Sequence, residues 1–146
     1  MVYPDILISV YPQTVMPPPA QLFRALGDRT RLRIVNLLAR GSLCVCDIQR
    51  ILEQPQPSVS RHLALLKSAG LVRDRRDGMR IFYALTAWEG ALACGVLAVI
   101  RSHLAVEADY RRDIEELAAL RGRGECHEEP KRPPTTAARL CEVAAP

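Results

Sequence analysis

The sequence predicts a mainly α chain carrying one β-hairpin, and three observations predict it. Apolar residues recur at helical spacing in short stretches between Ala20 and Gly70. After Leu71 the pattern becomes a charged run with an Asp77-Gly78 turn signal, then the β-branched and aromatic run Ile81-Phe82-Tyr83-Ala84-Leu85. From Trp88 to about Leu120 a long helical pattern follows, and no proline occurs between Pro57 and Pro130.

Pro17-Pro18-Pro19 sets off an N-terminal arm, residues 1–19. Ala20 to Leu26 forms a first short helix. Asp28 is the expected N-cap of a second, in which Leu32, Ile34, Val35, Leu37 and Leu38 keep helical spacing up to Gly41. Asp47-Ile48-x-x-Ile51-Leu52 reads as a third. A fourth starts near Ser58 with Val59, Leu63 and Leu66 on one stripe, carries Ser60, Arg61 and His62 off it, and stops at Gly70, the place of a C-terminal glycine. The hairpin comes next, with a basic tip. The last helix is apolar at Leu92, Val96, Val99, Ile100 and Leu104, then charged from Asp109 to Glu116. So apolar a helix on so small a domain predicts packing against an equivalent subunit, a homodimer through the terminal helices. The folded domain is therefore expected over 20–120, and 121–146, rich in Pro, Gly, Thr and charge, as a flexible tail.

With 146 residues, 49% of them hydrophobic and 25% charged, the chain has one ordinary core to build. Its longest apolar stretch, Ala91 to Ile100, is ten residues, against the roughly 18 to 20 needed to cross a bilayer. The N-terminal MVYPDILISVYPQ has no basic lead before an apolar core, so a cytoplasmic protein with no membrane partner is expected. Between Gln56 and Ile81 lie six bases, Arg61, Lys67, Arg73, Arg75, Arg76 and Arg80, and two acids, Asp74 and Asp77. That local excess equals the whole chain's +4, as expected of a phosphate-backbone contact.

The order helix, helix, short helix, helix, hairpin, long helix is that of a winged helix-turn-helix, a reader of double-stranded DNA. The fourth helix offers Gln56, Ser58, Ser60, Arg61 and His62 to base edges or phosphates, and the hairpin adds Arg73, Arg75, Arg76 and Arg80. Aromatic residues are only 5% and none lies in the basic helix, which disfavours a single-strand binder built on stacking. A nucleophilic triad, a P-loop and a dinucleotide fingerprint are all missing, so the sequence predicts no enzyme.

Five cysteines without an export signal point to metal, metalloid or redox chemistry rather than a disulfide framework. Leu43-Cys44-Val45-Cys46-Asp47, the run Gln56-Pro57-Ser58-Val59-Ser60-Arg61-His62-Leu63, Ala69-Gly70-Leu71-Val72, and upstream Phe23-Arg24-Ala25-Leu26-Gly27-Asp28 with Arg31-Leu32-Arg33-Ile34 together resemble the arsenical-resistance repressors of the ArsR/SmtB family. The resemblance covers about Leu22 to Leu120. It implies a homodimeric repressor that holds operator DNA when free and leaves it when an inducer binds, with Cys44 and Cys46 taking trivalent arsenic or antimony: arsenite, antimonite or methylarsenite.

Soft thiolates suit that chemistry. Residues two apart on a regular helix lie about 200° around its axis, so both sulfurs cannot face one small ion while the helix stays regular, and binding is expected to distort or unwind its first turn. The third cysteine found three residues further on in many arsenite-sensing members is Gln49 here, which leaves Cys94, Cys126, Cys141 or an external thiol as third ligand, or a methylated arsenical that needs none. The Asp and His residues used by zinc-sensing relatives on the last helix are absent, since His103 has no Asp two residues before it. Cys126-His127-Glu128-Glu129, one cysteine and one histidine in a polar tail, reads as solvated chain rather than as a metal site. Two alternatives keep the cysteines in use: a thiol-redox switch on the same scaffold, or a thiol carrier of metalloid whose basic patch is incidental.

Overall fold

The structure is a computed structural model that describes residues 16–130. Helix α1 (Pro19–Leu26) begins on a proline, whose missing N–H costs nothing in a first turn, and buries Leu22, Ala25 and Leu26. Helix α2 (Arg29–Leu38) is capped as expected: the Asp28 carboxylate accepts the Arg31 backbone N–H at 3.0 Å. That bond is the main reason the Asp28 carboxyl sits below its ordinary range. Ile34, Val35 and Leu37 are fully buried at the centre of the core.

A two-residue strand, β1 (Leu43–Cys44), leads into α3 (Val45–Leu52). A tight connection then enters α4 (Gln56–Ser68), with Glu53 in left-handed backbone at φ 53°. α4 starts two residues before the expected Ser58, because Pro57 stands in the first turn, where a helix tolerates it. Its end is as expected: Gly70 has φ +79°, its N–H bonds to Lys67 O at 2.9 Å, and the Leu71 N–H reaches Leu66 O at 3.0 Å. This is a Schellman ending, and the left-handed position favours glycine.

The hairpin pairs β2 (Val72–Asp77) with β3 (Arg80–Leu85), from Val72 opposite Leu85 to Asp77 opposite Arg80. Gly78 turns the chain at φ +60°. β1 joins the other edge of β3, with Leu43 opposite Tyr83 and Cys44 opposite Phe82, so the sheet order is β1-β3-β2. Trp88 anchors the chain leaving the sheet: it is buried and its Nε1–H donates to Leu71 O at 3.1 Å.

The single long helix expected from Trp88 to Leu120 is instead two. Helix α5 (Ala91–His103) and helix α6 (Ala108–Gly122) meet at 94° across a 3-10 turn, Leu104–Val106, with Glu107 extended. Tertiary packing explains the break. α6 folds back on α2, burying Leu117 and Leu120, and its Asp113 accepts both Arg33 Nε and Arg33 Nη2 at 2.7 Å in a fully buried bidentate pair. A straight helix would leave all three side chains in water. The same reversal carries residues 123–130 back to α3: Gly124 adopts φ +69°, and Glu125 accepts Arg50 Nη2 at 2.7 Å. These residues, expected to be part of a flexible tail from 121, are seated on the domain. Residues 1–15 of the expected arm and 131–146 of the expected tail lie outside the described residues.

Removing one partner of a buried bidentate pair strands the other charge, at a cost of about 3 to 5 kcal/mol. Asp113→Ala is accordingly expected to lower the urea midpoint by that equivalent, whereas Asp109→Ala, which loses only an exposed pair with Arg29, shifts it by less than about 1 kcal/mol.

Candidate functional site

The two site cysteines stand in different backbone environments. Cys44 ends β1 and is the N-cap of α3, in extended backbone at φ −77° and ψ 156°, with its sulfur 3.4 Å from the Asp47 backbone N–H. Cys46 is the second helical residue. Because Cys44 is off the helical screw, the 200° separation expected of two helical cysteines does not arise. The sulfurs converge with α3 intact, and no unwinding is needed to bring both to one small ion. They are joined as a disulfide, with Cα atoms 5.4 Å apart, and two-electron reduction is required before either can act as a ligand. Cys44 is buried. Cys46 is exposed and borders a surface groove of about 590 Å³ lined also by Gln49, Arg50, Glu53, Gln54 and Pro55.

The returning chain completes the site. His127 Nδ1 lies 3.6 Å from both Cys44 Sγ and Cys46 Sγ and 3.1 Å from Asp47 Oδ1. The His127 backbone N–H donates to Asp47 Oδ2 at 2.8 Å, and the Cys126 thiol donates to the same oxygen at 3.5 Å. Burial, then the neighbouring Asp47 carboxylate, push the Cys126 thiol above its ordinary range. Sequence reasoning missed Asp47 and His127. The CHEE cluster was the signal, but only the fold joins it to a motif 80 residues upstream.

Of the residues expected to contact DNA, Gln56 and Arg61 are exposed and Ser60 is half-buried on α4. Two of the expected contacts are engaged within the protein. Ser58 Oγ donates to Gln54 Oε1 at 3.3 Å, and His62 Nδ1 lies 3.4 Å from Arg31 Nη1 and 3.6 Å from Asp28 Oδ1. In the hairpin Arg76 and Arg80 are exposed, whereas Arg73 and Arg75 are half-buried and face Glu129 at 3.9 and 3.6 Å.

Residues 28–74 match the profile of the arsR family of bacterial regulatory proteins. The chain is 49% identical over 80 residues to the arsenical resistance operon repressor of Escherichia coli, covering 54% of this chain and 68% of that one. The chain belongs to the arsR family. An arsenic resistance transcriptional regulator of Pseudomonas putida is 40% identical over 99 residues, 64% of this chain and 77% of its own. Among solved structures, HlyU from Vibrio cholerae superposes with a TM-score of 0.53 at 27% identity, covering 59% of this chain and 90% of that one. The transcriptional repressor BigR from Xylella fastidiosa gives 0.51 at 29%, over 58% and 84%. This arsR-family protein is thus a winged helix-turn-helix transcriptional regulator and not an enzyme. No single helix among its described residues is long and apolar enough to cross a membrane.

Asp47 holds the returning chain by two bonds to one carboxylate oxygen. Asp47→Ala should release it, so that hydrogen exchange at the His127 amide rises to the rate of free chain while the amides of α4 keep their protection.

Proposed function

We propose that the protein is an arsenic-responsive transcriptional repressor that binds operator DNA as a homodimer and leaves it when trivalent arsenic binds the Cys44 and Cys46 thiolates. One observation carries the reading: the two sulfurs converge where the chain passes from β1, paired with the wing strand β3, into α3, which leads directly to α4. A ligand held there pulls at once on the wing and on the helix offered to the major groove.

In the reduced protein each As–O bond exchanged for As–S releases one water. Methylarsenite satisfies its remaining valences with these two thiolates. Arsenite and antimonite need a third ligand, for which Cys126, on the same Asp47 carboxylate as His127, or an external thiol is available; Cys141 lies outside the described residues. Cys94 is half-buried on α5. The operator contacts are assigned to Gln56, Ser60 and Arg61 at the centre, with Arg75, Arg76 and Arg80 on flanking phosphates. Ser58, whose Oγ can still accept, and His62, whose Nε2 is not part of its contacts with Arg31 and Asp28, complete the proposed set. The dimer reading is supported by α5, which buries Ala93, Leu97 and Ile100 inward and leaves Leu92 and Val99 about half exposed on its other side. A cytoplasmic location is part of this reading, because a regulator has to reach its operator DNA.

The joined sulfurs favour a second reading, a redox switch. Two thiols become a disulfide, giving two electrons and two protons to peroxide, which leaves as two waters.

Fluorescence anisotropy of reduced protein on its own upstream promoter duplex, titrated with arsenite and separately with methylarsenite, tests both readings. Release is expected at a coupling of about 1 to 3 kcal/mol, a roughly 5- to 150-fold loss of affinity, abolished in Cys44→Ser. Release by peroxide with indifference to both arsenicals selects the redox reading. Arg61→Ala is expected to weaken specific binding by about 1 to 3 kcal/mol, and wild-type affinity to fall steeply with salt.

A further inference from the structure

Four different donors meet at the head of α3: the sulfurs of Cys44 and Cys46, the Asp47 carboxylate and His127 Nδ1 all lie within 4.8 Å of one another. Zinc-type bonds of about 2.3 Å to sulfur and 2.0 to 2.1 Å to nitrogen or oxygen, at tetrahedral angles, set sulfur and nitrogen about 3.5 Å apart and nitrogen and oxygen about 3.3 Å apart. The observed separations are 3.6 Å from each sulfur to His127 Nδ1 and 3.1 Å from Nδ1 to Asp47 Oδ1. The sulfur pair has to part, as reduction by a small thiol makes it do, and the Asp47 carboxylate lies within 4.8 Å of the other three donors. Asp47 Oδ2 is already occupied by the His127 N–H and the Cys126 thiol, which leaves Oδ1 for an ion.

The segment that brings His127 is pinned on both sides of it. Glu125 is bonded to Arg50 of α3. Glu129, its side chain 7% exposed, sits against Arg73 and Arg75 of the wing, and its Oε1 has no hydrogen-bond partner among the described residues. One short stretch of chain therefore touches the cysteine site and covers two of the wing's cations.

We propose that His127 is a ligand of this site, that with Cys44, Cys46 and Asp47 it binds a borderline-soft divalent cation, Zn(II) or Cd(II), and that residues 125–129 act as a strap whose closure holds Glu129 on the wing arginines. Binding releases the two thiol protons and leaves the imidazole neutral, with its proton on Nε2. The bound cation fixes His127. Glu129, two residues on, then stays where DNA phosphates would otherwise pair with Arg73 and Arg75. The proposal shares the thiolate pair with the arsenical reading but not arsenic itself: two thiolates suffice for methylarsenite, whereas the divalent cation requires His127.

The test uses the reduced full-length chain. Cd(II) is titrated by its thiolate charge-transfer absorption, Zn(II) by competition with a chromophoric chelator, and promoter binding is followed by anisotropy with and without Cd(II). Wild type is expected to bind one cation per chain and to lose affinity for DNA at least fivefold on binding it. His127→Ala should weaken Cd(II) at least tenfold while release by methylarsenite persists. Glu129→Gln should bind Cd(II) as wild type does but lose at least half of the Cd(II) effect on DNA. Equal Cd(II) affinity in His127→Ala overturns the ligand assignment, and an unchanged Cd(II) effect in Glu129→Gln overturns the strap. Failure of the arsenical reading shows separately, as indifference to methylarsenite with the Cd(II) response intact.

Discussion

The buried pair between Arg33 and Asp113 decides where the last third of the chain goes. Both side chains are out of water, each satisfies the other twice, and neither finds that arrangement unless α6 turns back across α2. Leu117 and Leu120 add apolar burial to the same choice, at about 1.5 to 3 kcal/mol for each side chain fully buried. Since breaking a continuous helix at Leu104–Val106 forfeits only a few backbone bonds, each worth about 1 kcal/mol net, tertiary packing wins over helix continuity. Everything downstream depends on this. Glu125, Cys126, His127 and Glu129 reach α3 and the wing because α6 delivers them there.

Cys44 has a comparable role at smaller scale. As the last residue of β1 it is locked in register with Phe82 of the wing, and as the N-cap it sets the direction of α3. Those two memberships put its sulfur beside that of Cys46 without distorting the helix. They also change the nature of the switch. If both cysteines were helical, ligand binding would have to melt a turn and spend ligand affinity doing so. In the proposed function, where the sulfurs of the reduced site already stand side by side, binding energy instead goes into shifting the relation between β3, α3 and α4.

Legibility in the sequence followed the range of the interactions. The Asp28 cap, the Gly70 ending of α4 and the Asp77-Gly78 turn are decided by residues within a few positions, and each stands where the sequence put it. The Cys44-Val45-Cys46 pair was legible as chemistry because spacing alone singles it out. The strand β1 was not, since two residues carry no periodicity and pair only because β3 lies alongside. The turn at Leu104–Val106 has neither glycine nor proline to announce it. His127 was passed over as tail because its ligand-like neighbours arrive only through the Arg33–Asp113 reversal. Ser58 and His62 have partners inside the protein that residue type alone does not reveal: Gln54 for the first, Asp28 and Arg31 for the second.

The wing's electrostatics decide how much a single carboxylate can matter. The basic excess is concentrated between residues 56 and 81, so affinity for DNA rests on few cations and the loss of two is a large fraction. Glu129 is one charge against a run of phosphates, and as a freely moving exposed side chain its pairing would be worth under about 1 kcal/mol. Two features strengthen it. Its side chain is nearly buried, which reduces screening by salt, and it is tethered two residues from His127. Holding His127 in place removes most of the entropic cost of keeping Glu129 on the wing, so the carboxylate competes at a high effective concentration instead of as a free group. The proposed ligand site and the proposed DNA surface need no long chain of intermediaries: they share one five-residue segment, from Glu125 to Glu129.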